Sequence, residues 1–139
     1  MGSFSDFLEN ALINHVFATA GSHHTYARPT LYIALCTVTV TDSMTGTTIT
    51  EPGEDCGAYA RTICQTWDVA SGTGGDTENT IEVTFPTATA AWGTILDFAI
   101  CDAVTTGNML AYGTLSVSKS VAQGDTPKFA VGDLDVTLA

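Results

Sequence analysis

The sequence predicts a mainly β chain: a single antiparallel β-sandwich, jelly-roll-like, with one N-terminal α-helix. Three observations carry this. Turn signals recur about every ten residues between short alternating segments rich in Thr, Val and Ile, the pattern of a sandwich or barrel. Helical periodicity is confined to the start of the chain. And of 139 residues, 45% are hydrophobic and only 14% charged, too apolar for a disordered chain and too poor in charge for exposed helices. A chain of this length forms one domain, 1–139, with the helix at about 3–17 and the sandwich at about 27–139. It buries roughly two-thirds of the surface its unfolded form exposes, enough to fold without a metal or a disulfide.

In Ser3 to Phe17, the residues Phe4, Phe7, Leu8, Ala11, Leu12, His15 and Val16 recur at three- and four-residue steps as one apolar stripe. Ser3 followed by Asp6 suggests a capping box, and Asp6 and Glu9 suit the positive end of the helix dipole. The helix is expected to stop near Ala20-Gly21. Such a helix is marginal alone, so its stripe must dock on its own sheet or on a neighbouring subunit. From Thr30 to Val40 the period becomes two: Leu31, Ile33 and Leu35 share one face, Tyr32, Ala34 and Cys36 the other. Asp42 to Gly46 reads as a turn, Thr47 to Thr50 as a short strand, and Tyr59 to Trp67 as a second clear strand. Ala70 to Asp76 is a Gly-rich loop, and Thr80 to Phe85 a strand ended by Pro86. Ile95 to Cys101 is the most apolar strand, with Leu96, Phe98 and Ile100 toward the core and Asp97 on the other face. Asp102 to Asn108 is a turn with left-handed residues around Gly107. Met109 to Val117 is a strand, Val121 to Asp125 carries a Gly-Asp turn, and Phe129 to Leu138 holds one or two strands broken at Gly132-Asp133.

Charge narrows the partners. Fifteen acidic side chains face four basic ones, a net charge of −11. Arg28, Arg61, Lys119 and Lys128 are scattered, which argues against nucleic acid and anionic membranes, both of which need clustered cations. No apolar run approaches the ~20 residues of a membrane span, and the start lacks the basic-then-apolar pattern of a signal peptide. The chain is read as made and used in a cytoplasm, with no membrane step. Motifs for chemistry are absent: no Walker loop, GxGxxG, nucleophile elbow, HExxH or EF-hand pattern. Cys36, Cys56, Cys64 and Cys101 match no zinc spacing and read as buried thiols, with Cys56–Cys64 the one pair that could bridge under oxidant. His23-His24 reads as an exposed loop pair rather than a ligand pair. Asp42, Glu51, Glu54, Asp55, Asp76 and Glu78 lie in or near loops where calcium could bind, against a solvated acidic face as the simpler reading. No enzyme, cofactor or metal is expected.

Three stretches resemble a family of small tailed-phage virion proteins. They are the opening helix with Pro29 to Tyr32, the Gly57 to Arg61 block (GAYAR), and Phe85 to Ala103 (FPTATAAWGTILDFAICDA). The last continues through Thr106 to Gly113, Ser118 to Thr126 and Phe129 to Leu138. The resemblance runs nearly end to end. Cys101 stands where an aromatic or aliphatic residue is common, and His23-His24 falls in a variable loop. Members are described as head decoration (cement) proteins, tail-fibre proteins or phage proteins of unknown role. The resemblance implies a virion structural protein without catalytic residues. The leading expectation is a capsid decoration protein on the head exterior, a homotrimer bridging major capsid protein subunits. The alternative is a tail or tail-fibre component that contacts tail proteins or a host surface glycan. Candidate interface residues are Phe4, Phe7, Leu8 and Leu12 on the helix, with Arg61 and Trp92. Deleting Gly2 to Phe17 is expected to abolish particle binding and leave a folded sheet.

Overall fold

The computed structural model describes residues 2–18, 27–70 and 75–137. Among these the chain is mainly β with one helix, as the alternation predicts. A seven-stranded sheet has the order β3-β2-β6-β7-β1-β9-β4, and β5 and β8 form a separate two-stranded ribbon. The strands are β1 (Gly2–Phe4), β2 (Tyr32–Cys36), β3 (Thr62–Ile63), β4 (Asp76–Glu78), β5 (Val83–Thr84), β6 (Gly93–Cys101), β7 (Met109–Val121), β8 (Lys128–Phe129) and β9 (Asp135–Thr137). The helix α1 spans Asp6–Phe17. All pairings are antiparallel except β1 with β9, where Gly2 lies beside Val136.

The two central strands are apolar on both faces because both faces are covered. Ile33, Leu35, Phe98, Ile100 and Ala111 point into the larger core, where they meet Val83, Phe85, Trp92, Ile95 and Leu134. The ribbon covers this face. Phe129 of β8 makes edge contacts with Phe85 and with Phe98, ring centroids 6.2 and 5.8 Å apart. This is the sandwich-like packing expected. On the opposite face, Ala34, Cys36, Ala99, Cys101 and Met109 form a second, smaller core with Val40 and Ile49. Small side chains there let the 37–50 loop lie close to the sheet. Asp97, on this face as alternation requires, is 1% exposed, and its Oδ2 accepts the Val40 N–H at 2.7 Å.

Several boundaries differ from expectation for identifiable reasons. The helix starts at Asp6 with Ser5, not Ser3, as its N-cap. Ser3 and Phe4 are instead drawn into the sheet opposite Tyr112 and Ala111 of β7. Because β1 lies between β7 and β9, deleting Gly2 to Phe17 would remove an interior strand rather than leave the sheet intact. The C-cap is Ala18 in extended conformation, and the expected Ala20-Gly21 stop lies outside the described residues, as does His23-His24. Thr47 to Thr50 is a turn, held by the Thr48 and Ile49 N–H groups on the Thr45 carbonyl and by Thr48 Oγ accepting the Thr45 N–H. Tyr59 to Trp67 contributes only β3 and one isolated bridge, Trp67 with Asn79. Gly57 and Ala58, at φ of 40° and 63°, turn the backbone just before it, and its Tyr59 and Arg61 side chains bind loops across the molecule. In the Thr80 to Phe85 segment only Val83 and Thr84 pair as a strand, and Ile81 is 44% exposed. The Asp102–Asn108 turn forms as read: Thr106 and Gly107 have φ of 55° and 74°, and Asp102 accepts the Asn108 N–H at 2.7 Å.

Candidate assembly interface

The β1–α1 segment is fixed at one point. Ser5 is fully buried. Its N–H donates to the Leu110 carbonyl at 2.9 Å, and its hydroxyl donates to the Met109 carbonyl of β7. The same oxygen accepts the Leu8 N–H and so caps the helix. Asp6 N–H donates to the Asp42 carbonyl, which ties the helix start to the loop over the smaller core. Beyond this anchor Leu8 is the only buried residue of the helix, while Ala11 and Leu12 are half-buried.

The rest of the helix carries its apolar residues into solvent. Phe7 is 40% exposed, Ile13 57%, Val16 66% and Phe17 80%. At about 100° per residue, Ile13, Val16 and Phe17 fall within one ~100° arc that begins next to Leu12 at Val16 and runs away from Leu8 to Phe17. The predicted stripe is therefore split. Leu8, with part of Ala11 and Leu12, meets the sheet, while Phe7 and Val16 face out. Ile13 and Phe17 were not in the predicted stripe at all. The signal was present: the second half of α1 is apolar on two sides, more than one sheet contact can cover.

Arg61 and Trp92 occupy the interior. Arg61 forms a fork on Glu51, with Nε at 3.0 and 3.1 Å and Nη2 at 2.7 Å. Its remaining donors reach the Ala103, Thr106 and Gly46 carbonyls at 2.9, 2.8 and 2.6 Å. One guanidinium thus joins three loops. Burial alone would lower its pKa, but the Glu51 hydrogen bond and neighbouring negative charge carry it above its ordinary value. Glu51 also accepts the Tyr59 hydroxyl at 2.6 Å, while Tyr59 oxygen accepts the Leu35 N–H. Burial, then the Glu51 charge, pushes the Tyr59 phenol far above its usual range. The Arg61–Glu51 pair is within the subunit. Trp92 is 2% exposed, donates to the Gly57 carbonyl at 3.0 Å and meets Tyr59 edge-on at 5.2 Å. Phe4 is half-buried against the larger core.

The other sequence candidates do not converge. Among the described residues no three His, Cys, Asp or Glu side chains gather as a metal site. Glu51 is committed to Arg61, and Asp42, Asp55, Asp76 and Glu78 stand on the surface. All four cysteines are free thiols. Burial raises the Cys36 thiol, and pushes Cys101 up to about 11, so both stay protonated at neutral pH. No described helix is long and apolar enough to cross a membrane.

A β domain with its buried cation bonded internally, and with one helix carrying large apolar side chains outside, has the build of a structural subunit. Comparison with protein families says of what. Residues 3–137 match the family described as Podophage GP4 fiber I protein gp80, and the chain belongs to that family of phage fiber proteins. No curated protein matches the chain. The chain is thus a phage virion structural protein by family, in agreement with the resemblance carried by its sequence blocks.

Proposed function

We propose that the protein is a non-enzymatic structural subunit of a podophage fiber, built into the particle through the outward face of α1. The observation that supports this most directly is the match of residues 3–137 to a fiber family. The exposed Ile13, Val16 and Phe17 add a surface of the right kind. Large apolar side chains clustered on one exposed face cost solubility unless a partner covers them. The fiber description favours the tail reading over the capsid-cement reading.

Copy number on purified virions, measured by quantitative mass spectrometry, separates the two. A few dozen copies that co-purify with tails support a fiber subunit. Hundreds of copies in simple ratio to the major capsid protein would place it on the head exterior as a decoration protein and overturn the fiber reading.

A further inference from the structure

The partner of the α1 face can be specified further, and this rests on the fiber reading. We infer that Ile13, Val16 and Phe17 dock into an apolar groove bordered by lysine or arginine on a different virion protein, not onto a second copy of this chain. The argument is charge complementarity. Asp6 and Glu9 are exposed on the same helix, and Asp42 adjoins its start through the Asp6–Asp42 backbone bond. The chain's own Lys and Arg side chains do not stand on this outward face. Arg61 is buried on Glu51, and Arg28, in the cleft that Leu8 and Phe4 line on the inner side of the helix, is bonded to the Gln65 carbonyl. Lys128 pairs with Glu82 at 3.1 Å, and Lys119 lies on the far half of β7 from the helix anchor.

Packed helix against helix, a second copy meets this face badly in either sense. Two helices packed in parallel set Asp6 and Glu9 against Asp6 and Glu9. Packed antiparallel, they set those carboxylates against Ile13, Val16 and Phe17 of the other copy, where desolvation is uncompensated. With a net charge of −11 on each chain, long-range repulsion adds to both. A basic-rimmed groove satisfies the apolar side chains and the carboxylates together. It also suits the negative end of the helix dipole beside Phe17.

The test uses the full chain made during infection, with the photo-crosslinker benzoylphenylalanine at position 17 and, as a control, at position 117 on exposed β7. Virions are purified after irradiation and the joined peptides sequenced. The expected result is a single Lys- or Arg-bearing peptide of another virion protein from position 17, and not from position 117. Incorporation of a Glu9→Gln, Asp42→Asn variant should fall several-fold. A Val16→Ser, Phe17→Ser variant should fall by roughly tenfold or more, on the scale of a buried apolar anchor. Crosslinks between copies of this chain, a partner peptide without cations, or no crosslink from position 17 in particles that contain the protein would overturn the inference. Absence of the protein from purified virions is a different result: it overturns the fiber reading itself, and this inference falls with it.

Discussion

Replacing Arg61 with Met is the sharpest probe of what holds the loops on the sheet. The Arg61 side chain is 2% exposed and Glu51 is 20% exposed, so the pair is far from a surface ion pair. Met keeps most of the volume but strands the Glu51 carboxylate and leaves the Gly46, Ala103 and Thr106 carbonyls without their donor. Breaking a buried pair by removing one partner costs about 3–5 kcal/mol. The partial exposure of Glu51, with Tyr59 still donating to it, favours the lower half of that range. For 139 residues the unfolding entropy is about 0.3 kcal/mol/K, so the change should lower Tm by roughly 10–15 °C. Urea denaturation and calorimetry on the purified protein would measure it. Arg61→Lys should recover little, because an ammonium cannot span a carboxylate and three carbonyls. Adding Glu51→Leu to Arg61→Met should restore part of the loss by removing the stranded charge. A loss below about 1 kcal/mol for Arg61→Met, the scale of an exposed pair, would refute the claim that this guanidinium organises the three loops.

Three further outcomes are expected. Gly46→Ala should cost about 3 kcal/mol in urea unfolding, because the new Cβ would lie 2.2 Å from the Thr106 carbonyl oxygen, a backbone atom with nowhere to yield. Ser5→Ala should cost about 1–2 kcal/mol by thermal melting, with helical circular dichroism lost first, since it removes both the cap and a bond to β7. Stability should decline at alkaline pH. Cys36, Cys101 and Tyr59 have folded pKa values raised above their ordinary 9.0, 9.0 and 10.0, so the contribution is full below about pH 9. The loss begins near pH 9 for the two thiols and near pH 10 for Tyr59, ends near pH 11 for Cys101 and continues to higher pH for Cys36 and Tyr59, at up to about 1.4 kcal/mol per pH unit per group. Tyr59→Phe should flatten the part of that slope above pH 10, and an unchanged slope would remove Tyr59 from the account.

Alternation revealed β2 and β6 because their side chains answer to two covered faces, Ile33 and Phe98 to one, Ala34 and Ala99 to the other. It could not reveal β1. Gly2 to Phe4 is too short to show a period, and it is extended because Tyr112 and Val136 flank it, a fact about residues a hundred positions away. The Tyr59 to Trp67 segment misled for the opposite reason. Its pattern is strand-like, but Gly57 and Ala58 turn the backbone at positive φ just before it, and only Thr62 and Ile63 pair with β2. For the interface, the helix was legible and its orientation was not. Periodicity places Phe7, Leu8 and Val16 on one stripe and leaves out Ile13 and Phe17, and only the anchoring of Ser5 on β7 decides that Leu8 turns inward while Phe7 and Val16 turn out.

The placement of β1 between β7 and β9 bears on how the protein is made. Strand β1 has no local partner, because its neighbours are β7 and β9, both far along the chain. Closure over such sequence separation is slow compared with local helix formation. A chain truncated by premature termination before residue 135 would leave β1 and β4 without their shared neighbour. The helix anchor at Ser5 depends on β1 being seated against β7, so the outward face of α1 is positioned only after distant parts of the chain have joined the sheet.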